Sequence, residues 1–277
     1  MQNQNNLNLQ ATKISNNTKY AFDFSICTLV TRKAEHTEMM QSFIKKGFTT
    51  DKCEYLYIDN STKTTFEAYE GLNVFLQKAQ GKYVVICHQD ILLHDSDYTD
   101  LLQCINELDK KDANWAVLGN AGGLNLKWIG TNITEGKTGI VRKEKYLPLK
   151  TKTLDENFMV VKKSANIALS NNLQGFHFYG TDICLIASVL GFDSYIINFN
   201  LIHKSNGKKD ASFYDLETKI KIKYQKAFQE KYITTTFSRF YISGSWFAFW
   251  FYNSKIMLFL VRQYYKLATS KKDFWVK

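Results

Sequence analysis

A chain of 277 residues with 45% hydrophobic and 22% charged side chains can bury a substantial core, which excludes a disordered or fibrous protein. The formal net charge of +10 suits nucleic acid, an anionic membrane or a phosphorylated substrate. No helix-turn-helix, zinc-finger or aromatic RNA-binding spacing is present, so no nucleic-acid partner is expected.

Residues 1–20 are rich in Asn and Gln and lack an apolar signal-peptide core, and they predict a disordered lead-in. Phe22 to Val30 reads as a strand, and Glu35 to Lys46 as a helix stopped by Gly47. The unit repeats: Glu54 to Ile58 is a strand ending in Asp59, and Phe66 to Gln80 is a helix closed by Gly81. Lys82 to Cys87 is a third strand that runs into His88-Gln89-Asp90. A helix over Thr99 to Leu108 and a strand at Trp115 to Leu118 follow. Strands alternating with helices imply crossover connections and a mainly parallel sheet, whose ligands sit at the carboxyl ends of the strands. Asp59 and Asp90 both fall at such ends.

Beyond Gly123 the pattern loosens into short pieces at Gly139 to Arg142 and Phe158 to Val161. A helix from Asp182 to Leu190 and a strand at Tyr195 to Phe199 come next, leading into Leu201-Ile202-His203. From about Asp215 the chain reads as helix with a basic face. Tyr241 to Tyr265 is aromatic and apolar, but Asn253-Ser254-Lys255 interrupts it, which argues against a simple spanning helix. Such a segment suits either a membrane interface or a helical hairpin packed on the main domain. The expected organisation is a lead-in at 1–20, a nucleotide-binding α/β domain over 21–210, and a helical, basic and aromatic extension over 211–277. Cys27, Cys53, Cys87, Cys104 and Cys184 form no CxxC pair, and they predict reduced thiols and a cytoplasmic protein.

A strand-end His-x-Asp places both side chains on one face, where a carboxylate and an imidazole can hold a manganese-like divalent ion. An HxD of this kind is a weak signal by itself, and its position after the third strand strengthens it. The run Gly81 to Leu93 (GKYVVICHQDILL), preceded by Tyr55 to Ser61 (YLYIDNS), resembles the inverting family 2 glycosyltransferases of GT-A fold, in the subgroup whose metal motif reads His-Gln-Asp. Leu154 to Lys163, Phe176 to Phe192 and Leu201 to Gly207 follow in the order of that subgroup's acceptor-side motifs, so the resemblance covers roughly residues 22 to 207.

The resemblance implies a GT-A nucleotide-binding domain, a nucleotide-sugar donor, a divalent cation (Mn2+ or Mg2+), and a cell-surface glycan or lipid-linked saccharide as acceptor. It implies that Asp59 contacts the nucleotide, with Arg32 and Lys204 on the donor side, and that Asp90, His88 and His203 surround the metal. Lys208 is a second candidate for the diphosphate. Asp182 is the implied catalytic base, although Thr181 replaces the glutamate that many relatives carry before it. Asp155 and Glu156 form a carboxylate pair suited to acceptor hydroxyls, and His177 and Tyr179 are aromatic candidates for the acceptor cleft. The loop Leu29-Val30-Thr31-Arg32 departs from the proline-containing loop frequent in the family. Together with the tail, the resemblance places the protein in the cytoplasm, peripheral to the inner face of the membrane. Two other readings are a nucleotidyltransferase, disfavoured because Leu29 to Ala34 has no glycine, and a non-catalytic membrane-surface scaffold. A Rossmann dehydrogenase is excluded by the lack of GxGxxG after the first strand.

Overall fold

A computed structural model of the chain describes residues 11–13, 18–205, 207, 209–270 and 273. Most of the lead-in expected over 1–20, and Lys208, lie outside the described residues. The chain divides into two compact units, Met1–Glu217 and Thr218–Lys277.

The first unit is mixed α/β. Its opening elements are β1 (Phe22–Val30), α1 (Lys33–Lys45), β2 (Cys53–Asp59), α2 (Ala68–Lys78), β3 (Gly81–Cys87), β4 (Ile91–Leu92), α3 (Tyr98–Lys111) and β5 (Trp115–Gly119). Then come β6 (Ala121–Gly123), β7 (Ile129–Glu135), β8 (Val141–Lys143), β9 (Leu149–Thr151), β10 (Phe158–Lys162), α4 (Tyr179–Val189), β11 (Asp193–Ile196) and β12 (Leu201–His203). The unit boundary falls within α5 (Ala211–Ala227).

The central sheet has seven strands in the order β2-β1-β3-β10-β5-β11-β9. β1 pairs parallel with β2 and β3, and β11 parallel with β5. β10 runs antiparallel between β3 and β5, and β9 antiparallel at the edge. β2, β1, β3, β5 and β11 therefore share one direction, so the sheet is mainly parallel, as the alternating pattern predicts. The centres of β1, β3, β5 and β10 are buried, which fits their near-continuous apolar runs. Phe24, Phe43, Phe48, Trp115, Phe158 and Phe199 fill the core on one face, with Phe158 and Phe199 stacked at 5.2 Å between ring centroids.

A second sheet, in the order β4-β12-β7-β6 with β8 beside β7, is assembled from pieces of two to seven residues. β4, β6 and β9 have no counterpart in the sequence pattern, because strands of two or three residues carry too few to show a period; β7 lacks one because its seven residues, IGTNITE, are mostly polar or glycine and form no apolar run. Glycine makes part of this arrangement possible: a Cβ on Gly122 would collide with the carbonyl oxygen of Thr153.

The second unit holds the end of α5, the hairpin β13 (Lys231–Thr234) and β14 (Arg239–Ile242), and the helices α6 (Trp246–Tyr252) and α7 (Lys255–Ala268). The extension expected as helical, basic and aromatic over 211–277 thus contains a β-hairpin beside its helices. Lys231 to Ile242 holds β-branched and aromatic residues in two short runs, and these pair across a turn in which Thr235 N donates to Ser238 O and Thr235 Oγ1 accepts from Ser238 N. The interruption at 253–255 separates two helices: the Ser254 side chain accepts from Met257 N to start α7, and Asn253 bonds both Tyr241 N at 2.8 Å and Tyr241 O at 3.0 Å. Among the described residues, no helix is long and apolar enough to cross a membrane.

Candidate active site

The ends of β1, β2 and β3 deliver their following residues to one edge of the sheet, with Val30 opposite Asp59 in register. Gln89 locks two of these loops together. Its Oε1 accepts from Thr31 N at 2.8 Å and Arg32 N at 2.9 Å, while its Nε2 donates to Thr31 Oγ1 at 2.9 Å. The middle residue of the His-Gln-Asp motif thus closes the loop after β1 onto the loop after β3. Sequence reasoning assigned it no role, although its place in the motif was a signal.

β4 begins immediately after Asp90 and pairs antiparallel with β12, setting His203 opposite Ile91. Lys204 N donates to Asp90 O at 3.0 Å and extends that ladder. The pairing carries His203 to Asp90 across a separation of more than a hundred residues. His203 Nε2 lies 3.6 Å and His88 Nδ1 3.9 Å from Asp90 Oδ1, both too long for hydrogen bonds. Ligand atoms from the three side chains all lie within 4.8 Å of one another. His203 Nε2 is buried with no hydrogen-bond partner, an orphaned donor-acceptor of the kind a metal ion satisfies. Two imidazoles and a carboxylate fit a divalent transition ion such as Mn2+ better than Mg2+, which prefers an all-oxygen shell.

Electrostatics agree with that donor set. Burial, reinforced by His203, lowers the pKa of His88, which favours the neutral imidazole that a metal requires. Burial raises the Asp90 carboxyl, but its interactions with His203 and Ser205, and then with His88, outweigh it and hold the group well below the usual carboxylate range. Asp90 is ionised although only 5% exposed.

Two cavities meet at this cluster. One of about 260 Å³ is lined by Thr31, Arg32, Gln89, Asp90 and Tyr179 among others, and one of about 490 Å³ by Asp155, Glu156, His177 and His203 among others. His88, Phe176 and Ser205 line both. A third, of about 690 Å³ between α2 and the segment 170–174, is larger but holds none of the candidate residues.

The remaining candidates fall in different places. Arg32 lines the smaller cavity and pairs with Glu35 at 3.0 Å. Asp59 does not line it: its carboxylate accepts from Ser61 N and Oγ and pairs with Lys33 at 2.8 Å. Lys33 first, then Ser61, holds its pKa well below the usual range. Lys204 Nζ is engaged by Glu38 at 2.6 Å. Tyr179 is buried, with its hydroxyl 3.0 Å from His88 Nε2 and donating to Glu156 O at 3.3 Å, so it fixes the His88 ring instead of presenting a stacking face. His177 faces the larger cavity and packs edge-on against Phe213.

Asp182 lies differently from its expected role. It is fully buried, with Oδ2 accepting from Ser170 N at 2.9 Å and Oδ1 from Ser170 Oγ at 2.6 Å. In the first turn of α4 an acid also gains from the helix dipole, so its place is explained without contact with an acceptor. Asp182 lines neither of the two cavities that meet at the metal cluster. Three acids line the larger cavity beside the metal cluster, Glu135, Asp155 and Glu156, and of the adjacent pair Glu156 is the more buried. Its Oε1 accepts from Gly180 N at 3.4 Å, at the start of α4. A Cβ at Gly180 would strike the carbonyl oxygen of Leu154. Burial first, then the Asp155 charge, pushes the Glu156 carboxyl up to about 8. Phe178, between His177 and Tyr179, adopts a left-handed backbone with φ of 59°, a conformation costing about 1–3 kcal/mol that tends to persist at functional sites. No sequence signal marks it.

No family model matches the chain. Among solved structures it is similar to S. aureus TarS 1-349 in complex with UDP-GlcNAc, with a TM-score of 0.48 and 12% identity over 74% of this chain and 67% of that one. It is also similar to GalNAc-T7 with UDP, GalNAc and Mn2+, with a TM-score of 0.48 and 9% identity over 67% of this chain and 44% of that one, so the chain spans less than half of the latter's length. A relative from Fuscovulum blasticum, the "ATP synthase subunits region ORF 6" protein, is 32% identical over 232 residues, covering 81% of this chain and 92% of the relative. That name records a gene's neighbourhood and no activity, and at this identity and coverage the chain belongs to the family of the Fuscovulum blasticum ORF 6 protein.

Proposed function

We propose that the protein is a metal-assisted, inverting glycosyltransferase that moves a sugar from a nucleotide-sugar donor to a hydroxyl of a saccharide. The observation that carries the reading is the convergence of His88, Asp90 and His203 where two cavities meet at the carboxyl ends of the parallel strands, the position at which α/β sheets bind nucleotides. The order of sequence motifs from Tyr55 to Gly207 supports it independently.

In this reading the smaller cavity takes the nucleotide, with the backbone of Thr31 and Arg32 fixed by Gln89. Asp59 reaches the base or ribose after exchanging its partner Lys33. A bound divalent ion supplies neutralisation of the leaving diphosphate, and His88, Asp90 and His203 hold it. The larger cavity takes the acceptor, with Asp155 and His177 on its wall. Glu156 removes the proton as the acceptor oxygen bonds to the anomeric carbon and the carbon–oxygen bond to the diphosphate breaks, the electron pair leaving with the nucleoside diphosphate. A base whose pKa lies near working pH is suited to this step. Asp182 then acts as a positioning residue, tying α4 to Ser170. A cell-surface or lipid-linked saccharide is the acceptor class this reading favours.

The test is a panel of nucleotide sugars assayed for release of nucleoside diphosphate with and without Mn2+. Metal-dependent turnover of one nucleotide class supports the reading; a folded protein that turns over none, with or without a saccharide acceptor, counts against it.

A further inference from the structure

Charge is distributed unequally between the two units. Residues 218–277 hold twelve of the 36 Lys and Arg and two of the 26 Asp and Glu, which leaves 24 of each in residues 1–217. The net +10 of the whole chain therefore belongs to the second unit.

The same unit carries two helices in which no residue is buried. In α6, Trp246 is 80% and Trp250 65% exposed. Along α7, Ile256, Phe259, Leu260 and Leu267 recur at helical spacing on one face, with Leu267 90% exposed. The other side faces the β-hairpin across a cavity of about 550 Å³, which Leu258, Val261 and Tyr265 line with Tyr232 and Arg239, and whose rim includes Arg262 and Lys266. Lys255, Arg262 and Lys266 form a stripe beside the exposed apolar face. Apolar surface of this extent marks an interaction site, and the charge selects its partner. A second copy would bring two strongly basic surfaces together and be repelled, whereas an anionic surface gains from both the charge and the aromatic side chains.

We infer that the second unit docks on an anionic lipid bilayer, with α6 and the Ile256–Phe259–Leu260–Leu267 face of α7 entering the headgroup boundary and Lys255, Arg262 and Lys266 contacting lipid phosphates. Trp and Tyr are suited to that depth because each combines an apolar ring with a polar tip. The helices lie in the interface and do not span it: α7 has 14 residues and α6 seven, against roughly 20 for a span. The inference is independent of the transferase reading.

The test uses the full chain with sedimented vesicles of phosphatidylcholine alone and of equal parts phosphatidylcholine and phosphatidylglycerol. Without any substrate present, failure here leaves the transferase reading untouched. We expect binding to the anionic vesicles, weakened by salt, with a blue shift of Trp emission. Replacing Lys255, Arg262 and Lys266 together by Gln should weaken it about a hundredfold, from about fivefold per basic side chain. Phe259→Glu with Leu260→Glu, at exposed positions that leave the fold intact by circular dichroism, should abolish the blue shift. The inference is overturned by equal sedimentation of wild type and the variants, by no binding of a folded chain, by a stable dimer that occludes the Trp residues, or by binding that added RNA removes.

Discussion

The two sides of the candidate site are held by different means. On the side proposed for the donor, β1, β2 and β3 carry their loops to the sheet edge through long parallel ladders, and one side chain, Gln89, ties the loops after β1 and β3 together. On the side proposed for the acceptor, between Gly119 and Gly180, most strands are short, glycines accept contacts that no Cβ could, and Glu156 accepts from the Gly180 amide next to a left-handed Phe178. The first arrangement derives from regular repetition and the second from individual close contacts. The donor side should therefore tolerate surface change and fail at its few metal-binding and locking groups, whereas the acceptor side should be sensitive wherever the backbone is crowded.

The largest effect is expected at Glu156. Glu156→Gln should lower transfer roughly 10²–10⁴-fold, the range of a positioned base, while nucleoside diphosphate binding stays unchanged. The sign of the pH dependence follows from the raised pKa: below about 8 the carboxyl holds its proton and cannot act, so the wild-type rate should climb as pH rises through about 8, and the Gln variant should lose that rise. An unaltered profile in the variant would place the base elsewhere. The same shift implies that folding stability from this group, present below the unfolded carboxyl value, is lost as pH rises towards 8.

Asp182→Asn distinguishes base from scaffold. We expect a loss of about 1–2 kcal/mol in stability, because the charge-assisted bonds from Ser170 N and Oγ become neutral ones, with the Asn amide donating to Ser170 Oγ where the carboxylate accepted from it, together with a smaller effect on rate once the protein is folded. A stable variant with a collapsed rate would restore Asp182 to catalysis. Gln89→Ala should weaken nucleotide binding by roughly tenfold, since it removes the lock on the Thr31 and Arg32 amides, with little effect on metal affinity; titration of nucleotide and of Mn2+ separately checks both. The smallest change is expected for Lys204→Ala, whose Nζ pairs with Glu38 in a partly exposed bridge worth about 1 kcal/mol or less.

The same contrast explains what the sequence revealed. The alternation of β1, α1, β2, α2 and β3 is long and apolar, so the mainly parallel sheet and the strand-end positions of Asp59 and Asp90 were legible in it. His203 was legible only through motif order, because its approach to Asp90 is set by pairing of β12 with the two-residue β4. The burial of Asp182 was hidden, since a first-turn acid looks the same whether it faces a cleft or Ser170. Glu156 appeared beside Asp155 as an acceptor contact; what distinguishes the two is burial, and no periodicity spans that loop. The β13–β14 hairpin escaped because four-residue strands next to a long aromatic run carry no distinct period.

The central claim is that His88, Asp90 and His203 form a metal site on which nucleotide binding depends. Calorimetric titration of a nucleoside diphosphate, with and without Mn2+, into wild type and Asp90→Ala tests it most directly. Wild type should bind only with Mn2+, and the variant should lose that binding while keeping its melting temperature; binding of the same strength in both proteins, or without Mn2+, would contradict the metal site.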